Sequence, residues 1–338
     1  LWSGCRSLLI AVCSLLGGAQ VWAQTPSINE FYAEPQVIIA PDSEDFPNLL
    51  NQAEVFDLNR DGRQDLVYSG YNPDDPEGLV EFHIVMANGS GGLVLQTDTV
   101  ILGEIPVTER GFRQAISGDF NDVGWPDLFL ESHGAEPVCD DGGVECWTGG
   151  ANSLLLSNGS GQLENVTGTH LPAFSDFSHG STIADFDGDG DVDIWVNNLG
   201  GSPLYNPEYS YLLFNDGSGR FFVAADASED GQTPIVGRNG ILPDGSLGAF
   251  WSFSVDAEED GDMDLGLGWL FGPDRNAVLL NDGSGRFSMP GESSFPSPPG
   301  YLGDRIQHAL VHDVNDDGRD DVLLHQSRTD FTNPMLQV

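Results

Sequence analysis

The chain has 338 residues, of which 53 are aspartate or glutamate and 12 are arginine, with no lysine, so its formal net charge is −41. Nucleic acids and anionic membrane surfaces repel so acidic a protein, which excludes both as partners. Disorder is excluded as well, because 39% of the residues are hydrophobic and 10% are aromatic, enough to build a core. The 43 glycines and 20 prolines, without sustained helical periodicity, favour short strands joined by turns and predict an all-β protein.

The N-terminal residues predict an export signal. Arg6 precedes an apolar run from Leu8 to Leu16, and the small-residue pattern of Val21-Trp22-Ala23 is typical of a cleavage site before Gln24. The apolar run is too short to span a bilayer, which requires about 20 residues. We therefore expect residues 1–23 to be a signal peptide, and the mature protein to be secreted, periplasmic or on the cell surface without spanning the membrane.

Two of the four cysteines, Cys139 and Cys146, remain once a signal peptide is removed. In an exported protein, two cysteines this close in sequence most simply form a disulfide across a surface loop. A metal site is the alternative, but it requires further thiol or imidazole ligands, and only His133 is near in sequence. The sequence therefore favours the disulfide.

An acidic pattern recurs five times along the chain. In its full form it reads D-x-[D/N/E]-x-D-G-x-x-D followed by an apolar residue, as in DFDGDGDVDIW. The copies begin at Asp57, Asp119, Asp185, Asp256 and Asp313, so their starts are 57 to 71 residues apart. A period of this length indicates a repeat protein in which each repeat is one supersecondary unit.

A glycine-rich turn recurs at the same period. NDGSGRF occurs twice, with SNGSGQL and ANGSGGL as variants, and the central glycines are Gly89, Gly159, Gly217 and Gly283. Strand-like runs flank each turn, so each predicts a β-hairpin whose turn glycines have positive φ. Strand-like runs also flank each acidic segment. One repeat is therefore strand, acidic loop, strand, connection, strand, glycine turn and strand, which is the four-stranded antiparallel blade of a β-propeller.

The stretches ISGDFNDVGWPDLFL, TIADFDGDGDVDIWV and ALVHDVNDDGRDDVLL resemble the FG-GAP, or VCBS, repeat of integrin α-subunit propellers and secreted bacterial proteins similar to cartilage acidic protein. The resemblance covers residues 51–324. It implies a propeller, commonly of about seven blades, with calcium in the hairpin loop between the two inner strands of a blade. Repeats starting near 51, 113, 179, 250 and 306 give four blades and part of a fifth. We therefore expect residues 51–338 to form an incomplete ring, with residues 24–50 a candidate for the ring-closing strand.

The acidic loop has the residues of a calcium site. Calcium takes about six to eight oxygen ligands, and side chains at positions one, three, five and nine supply oxygens, as does the carbonyl at seven. Glycine at six permits the chain reversal. An EF-hand begins alike but requires a glutamate at position twelve and flanking helices, whereas these copies continue into strand-like sequence. The recurrence of the glycine and of the ninth-position aspartate favours calcium over a solvated acidic turn, and magnesium is disfavoured because it prefers a smaller shell.

The predicted side-chain ligands are Asp57, Asn59, Asp61 and Asp65; Asp119, Asn121 and Asp127; Asp185, Asp187, Asp189 and Asp193; Asp256, Glu258, Asp260 and Asp264; and Asp313, Asn315, Asp317 and Asp321. The second set lacks a ligand because Val123 occupies position five, so we expect that site to be weak or empty unless Asp122 compensates. We expect the bound ion to have a structural role.

No enzyme motif accompanies these loops. The seven histidines are scattered, and neither G-x-S-x-G nor H-E-x-x-H occurs. We therefore expect a secreted, calcium-stabilised propeller that acts as a binding or adhesion module for a protein or glycan. The resemblance also allows an enzyme of polysaccharide lyase or phospholipase type, or a scaffold for a further C-terminal domain, and fold does not decide among these. A convergent polar cleft would favour an enzyme, whereas exposed loop surface would favour a binding module.

Overall fold

The computed structural model describes residues 49–71, 79–109, 112–134, 149–173, 175, 177–198, 210–224, 251–268, 277–289, 304–315, 317–328 and 335–337. The predicted signal peptide at 1–23 and the predicted disulfide between Cys139 and Cys146 lie outside these ranges. So does the predicted segment 24–50, apart from its last two residues. These expectations stay predictions.

The described chain consists almost entirely of short strands. The first strands are β1 (Leu49–Phe56), β2 (Asp65–Tyr71), β3 (Leu79–Ala87) and β4 (Leu93–Leu95), followed by α1 (Thr97–Val100), β5 (Ile101–Leu102) and β6 (Val107–Glu109). Next come β7 (Phe112–Gly118), β8 (Asp127–Ser132), β9 (Ser153–Ser157), β10 (Leu163–Asn165) and α2 (Thr167–His170). The third group is β11 (Ser178–Ala184), β12 (Asp193–Asn198), β13 (Tyr211–Asn215) and β14 (Phe221–Val223). The remaining strands are β15 (Trp251–Val255), β16 (Asp264–Gly268), β17 (Ala277–Asn281), β18 (Phe287–Ser288), β19 (Asp304–His312), β20 (Asp321–Arg328) and β21 (Met335–Gln337).

These strands form five sheets that follow one plan. The first to fourth sheets contain β1–β4, β7–β10, β11–β14 and β15–β18 in chain order, and the fifth contains β19–β21. Consecutive strands of a sheet pair antiparallel. An acidic segment joins the first two strands, and the glycine turn joins the last two in each of the first four sheets. The predicted all-β class is confirmed, and the series of four-stranded units is compatible with the blades of an open propeller.

The hydrophobic cores lie between consecutive sheets. The first strands of the sheets lie beside one another in the order β1, β7, β11, β15 and β19. Leu128 and Leu130 of β8 pack in a core with the first sheet, whereas Phe129 packs with the third. Likewise Ile194 of β12 faces the second sheet and Trp195 the fourth. Because side chains alternate across a strand, both faces of these strands are buried, which explains their continuous apolar sequence; each large side chain contributes roughly 1.5–3 kcal/mol by its burial.

The connection between the first two sheets departs from the predicted four-strand repeat. β5 pairs parallel with β10, with Ile101 opposite Leu163, and so extends the second sheet at its outer edge. β6 then returns to pair with β3 of the first sheet. Each of these two sheets therefore has five strands. Strands of two and three residues are too short to show an alternating hydrophobic period, so the sequence pattern does not reveal them.

Helix is almost absent from the described residues. α1 and α2 have four residues each. Within the described ranges, no helix combines the length and the apolar character that crossing a bilayer requires.

Candidate metal centre

The acidic segments occupy equivalent places in the five sheets. Each forms the hairpin loop between the first two strands, so that position one follows the first strand and position nine begins the second. In the third sheet, Asp185 follows β11 and Asp193 is the first residue of β12. We call the five segments the first to fifth acidic loops; they span residues 57–65, 119–127, 185–193, 256–264 and 313–321.

The aspartate at position one holds the loop in its turn. In the third acidic loop, Asp185 accepts backbone N–H bonds from Gly188 (2.9 Å) and Gly190 (3.0 Å) through its two oxygens. The other four first-position aspartates accept N–H bonds from positions five and six, at 2.8–3.1 Å. This carboxylate therefore shapes the loop whether or not an ion is bound.

Two positions of the loop have left-handed backbone. Position six is a glycine in every loop, with φ between 77° and 98°, as the sequence predicts; these are Gly62, Gly124, Gly190, Gly261 and Gly318. Position four is also left-handed wherever the structure describes it, at Arg60, Asp122, Gly188 and Glu259. Sequence reasoning missed this second turn. The sequence signal for this turn was the extra glycine of DFDGDGDVDIW, because the third loop alone has a glycine at position four.

In the first four loops, the aspartate at position nine is buried and ties the loop to the third strand of its sheet. Asp193 is fully buried; its Oδ2 accepts the N–H of Phe186 at 2.9 Å, and its Oδ1 accepts the N–H of Asn215 at 2.9 Å. The equivalent pairs of donors are Leu58 and Ala87 for Asp65, Phe120 and Ser157 for Asp127, and Ala257 and Asn281 for Asp264. Because these bonds alone explain why aspartate recurs at position nine, its recurrence is not evidence for a metal.

Burial changes the ionisation of these carboxyl groups. Desolvation raises the pKa of Asp193 to about 7 and that of Asp127 to about 6, against the opposing effect of their backbone hydrogen bonds. Desolvation likewise raises the pKa of Asp65 and Asp264. The charged form of these four carboxyl groups is therefore disfavoured in the folded protein, and a nearby cation would favour it.

Three carboxylates converge in the third acidic loop. One oxygen each of Asp185, Asp187 and Asp193 lies within 4.8 Å of the others, and no second group of three Asp, Glu, His or Cys side chains is this close among the described residues. Asp189, the fourth predicted side-chain ligand, lies outside this group, and its Oδ1 accepts the N–H of Asp191 at 2.9 Å. Desolvation and the neighbouring carboxylates raise the pKa of Asp187. A set of converging carboxylate oxygens fits a hard divalent cation, and calcium in particular.

The second acidic loop lacks this convergence. Its Asn121 donates through Nδ2 to the carbonyl of Ser157 at 3.0 Å. Val123, at position five, is 46% exposed. Arg60 of the first loop donates to the carbonyl of Gly124, and its guanidinium carbon lies 5.9 Å from the ring centre of Trp125. A protein cation thus lies against the loop that has the fewest carboxylates at the proposed ligand positions.

The first, fourth and fifth loops keep their predicted residues at equivalent positions without bringing three carboxylates as close together. In the fourth loop, Asp260 accepts the N–H of Asp262 at 3.0 Å, and desolvation together with the neighbouring Asp260 raises the pKa of Glu258. An ion pair of 3.1 Å joins Glu259 of this loop to Arg319 of the fifth. Both partners are exposed, so the pair contributes little to stability.

A second group of polar residues, buried at the opposite end of the second and third sheets, escaped the sequence analysis. The ring centres of His133 and Phe177 lie 3.9 Å apart, and those of His133 and His179 lie 4.9 Å apart. Burial, together with the charges of Arg113 and His133, lowers the pKa of His179 well below its ordinary value. Glu131 is also fully buried nearby in β8. These residues come from separate segments, so no sequence motif joins them.

Comparison with known families identifies the repeat that contains the third loop. A model of the FG-GAP-like repeat matches residues 119–196, which run from the start of the second acidic loop into β12. The match confirms the resemblance read from the acidic segments, and the chain carries an FG-GAP-like repeat in this region. No curated protein matches the chain.

Proposed function

We propose that the protein is a secreted repeat module that binds calcium in its acidic loops and binds an extracellular protein or glycan through its surface. The observation that carries the metal part is the convergence of Asp185, Asp187 and Asp193 inside a segment that matches the FG-GAP-like repeat. Repeats of this family often bind calcium and are typical of extracellular proteins. The predicted signal peptide at residues 1–23 agrees with that location.

Within the third loop, the proposed ligands divide into two kinds. Asp185 and Asp193 already hold the loop through backbone hydrogen bonds, and each oxygen has a second lone pair for a cation. Asp187 and Asp189 make only one such bond each, to the N–H groups of Asp189 and Asp191. A bound calcium ion supplies positive charge that offsets the repulsion among these carboxylates. The chain supplies a loop that is already turned into shape.

The loops are proposed to differ in affinity. The third loop has four candidate side-chain carboxylates, and the fourth has a longer Glu258 at position three. The first and fifth have an asparagine at that position, and the second lacks an oxygen at position five. We therefore propose that the third loop binds most tightly and the second most weakly. Extracellular calcium modules commonly have a Kd of about 10⁻⁴ to 10⁻³ M.

Calorimetric titration of the metal-stripped protein with CaCl2 tests the metal part directly. We expect saturable binding of several equivalents, weaker binding of MgCl2, and a higher melting temperature in calcium than in EGTA. Asp187→Asn should weaken the tightest binding step, because it leaves asparagine at position three as in the first and fifth loops. Asp98→Asn, which removes an exposed charge from α1, is the matched control and should leave that step unchanged. An identical melting curve in excess EGTA and in calcium would contradict the proposal.

The partner is tested separately. A screen of glycans and matrix proteins with immobilised protein, run in calcium and again in EGTA, should identify ligands retained only in calcium. Asp187→Asn protein should retain them less well at low calcium, because a loosened loop disturbs the surface around it. Absence of any calcium-dependent ligand would overturn the binding part and leave the metal part standing.

A further inference from the structure

Asn215, the last residue of β13, connects two acidic loops. It is 2% exposed, and its Nδ2 donates to the carbonyl of Val192 in its own loop (3.2 Å) and to that of Phe120 in the loop of the preceding sheet (2.8 Å). Its Oδ1 accepts N–H bonds from Gly217 and Gly219 of the glycine turn. One buried amide therefore holds its own turn, its own acidic loop and the neighbouring acidic loop.

Asn281, the last residue of β17, repeats this arrangement one sheet further on. Its Nδ2 donates to the carbonyl of Met263 in the fourth loop (3.1 Å) and to that of Phe186 in the third loop (2.8 Å). Its Oδ1 accepts from Gly283 and Gly285. The third acidic loop is thus held on both sides, at position eight by Asn215 and at position two by Asn281.

The first two sheets provide a natural contrast. At the equivalent place the second sheet has Ser157, whose hydroxyl accepts the N–H of Gly159 at 3.2 Å. A hydroxyl has a single hydrogen to donate, so it cannot bind two carbonyl groups as an amide can. The first sheet has Ala87, with no polar side chain. The double link therefore runs from the second loop to the third and from the third to the fourth.

We propose that Asn215 and Asn281 are positioning residues that couple the calcium affinities of neighbouring acidic loops. The inference rests on the proposed function, since it concerns the same loops. The bonded carbonyls flank the proposed ligand positions: position two lies between ligands one and three, and position eight lies between ligands seven and nine.

The physical basis is the burial of the amide. If one loop loosens, a buried Nδ2 loses a carbonyl partner, and a buried donor left without a partner is unfavourable. Ordering one loop with calcium therefore keeps the amide in the position that the next loop requires. The coupling is reciprocal by thermodynamic linkage, and couplings of this kind typically change affinity by about 5-fold or more.

The test measures the third loop while the fourth is disabled. Glu258→Ala with Asp260→Ala removes two proposed ligands of the fourth loop but leaves Asp256 to hold its turn. Amide hydrogen exchange of residues 185–193 is followed across a calcium titration in 0.5 M NaCl, where salt screens the loss of two charges. We expect the calcium concentration at half-protection to rise about 5-fold relative to the unaltered protein.

Asn281→Ser, which copies the residue of the second sheet, should abolish this effect, so that disabling the fourth loop no longer shifts the third. Asn215→Ser is the matched control, because it removes an equivalent side chain but leaves the link between the third and fourth loops. Should Asn281→Ser not fold, Asn281→Asp keeps the acceptor for the glycine turn while it lacks the donor.

Three outcomes separate the two proposals. If disabling the fourth loop raises the calcium midpoint of the third loop when residue 281 is asparagine, but not when it is serine, the coupling is supported. A calcium-dependent protection whose midpoint does not move when the fourth loop is disabled overturns the coupling and leaves calcium binding intact. No calcium-dependent protection of residues 185–193 in the unaltered protein overturns both.

Discussion

The second and third acidic loops have nearly the same framework but different interiors. In both, the first-position aspartate accepts backbone N–H bonds within the loop, and the buried ninth-position aspartate joins position two to the third strand. They differ at positions three and five. The second loop has Asn121 and Val123 there, and the third has Asp187 and Asp189. Three carboxylates converge only in the third loop, within the part of the chain that the structure describes.

This difference separates residues that build the loop from residues that suit it to a cation. Positions one, six and nine are kept in both loops because the backbone requires them. Positions three and five are free to vary, and they alone distinguish a converging group of carboxylates from an acidic turn. The ninth-position recurrence, which the sequence analysis took as support for calcium, is therefore explained by the fold.

The largest expected effect is loss of the shared framework. Asp127→Ala leaves the buried N–H groups of Phe120 and Ser157 without their acceptor, so it should lower the free energy of unfolding by about 2–4 kcal/mol. Urea denaturation should give the same loss in calcium and in EDTA. Asp127→Asn, which keeps one acceptor oxygen, should lose less. A loss confined to calcium-containing buffer would mean that Asp127 acts as a ligand and not as part of the framework.

The second loop should become more like the third when its missing oxygen is restored. Val123→Asp reproduces the pattern of the fifth loop at an exposed position, so we expect one additional calcium equivalent by calorimetry. At a calcium concentration 100 times the Kd of that site, the variant should be stabilised by about 2.7 kcal/mol relative to itself in EDTA. Val123→Leu, which is of similar size to aspartate but adds no oxygen, is the control. An unchanged stoichiometry would show that the framework of the second loop excludes the ion.

A smaller effect is expected from pH in the absence of metal. The pKa of Asp193 is about 7 and that of Asp127 about 6, both above the ordinary value, so these two groups hold more protons in the folded protein than in the unfolded chain between about pH 4 and pH 7. The lowered pKa of His179 acts in the opposite direction, but it is one group against two. The unfolding free energy in EDTA should therefore fall as pH rises from 5 to 8. Repulsion among the carboxylates of the unfolded chain raises their pKa values as well. This reduces the difference in bound protons between the folded and unfolded states. Asp193→Asn should flatten this dependence in urea titrations, and a stability that rises over the same range would contradict it.

The smallest expected effect concerns position four. Gly188→Ala places a Cβ on left-handed backbone (φ 75°) and 2.9 Å from the carbonyl oxygen of Gly283, so it should cost about 1–2 kcal/mol. Asp122→Gly makes the reverse change in the second loop, where φ is 51°, and should stabilise by about 0.5–1 kcal/mol. Thermal melts in EDTA measure both. A loss of stability for Gly188→Ala together with a gain for Asp122→Gly would link the extra glycine of the third loop to its better-formed turn.

The features of the fold that the sequence predicts are those encoded by short local patterns. The hairpin loops, their sixth-position glycines and the order of strands follow from short stretches whose geometry depends on near neighbours. The turn glycines Gly159, Gly217 and Gly283 have positive φ as predicted. In the first sheet, the prediction for Gly89 is wrong, because that turn places the left-handed residue at Gly91, whose N–H bonds to the carbonyl of Asn88.

What the sequence does not predict depends on residues far apart in the chain. Asn215 and Phe120 are 95 positions apart, as are Asn281 and Phe186, and no spacing rule relates a turn to the loop of another repeat. The burial of the ninth-position aspartates likewise emerges only when the third strand covers them. Of the predicted ligands, the structure groups three in one loop, and the sites themselves stay predictions for all five loops.

The return of β5 to the outer edge of β10 has a consequence for self-association. A protein with several separate sheets exposes several strand edges, and each unpaired edge is a template on which another copy can add a strand. In the second sheet, β5 occupies that edge. In the third and fourth sheets, the outermost described strands are β14 and β18, with three and two residues. Edges this short offer few backbone groups for pairing, so we expect little strand addition at the outer edges of these three sheets.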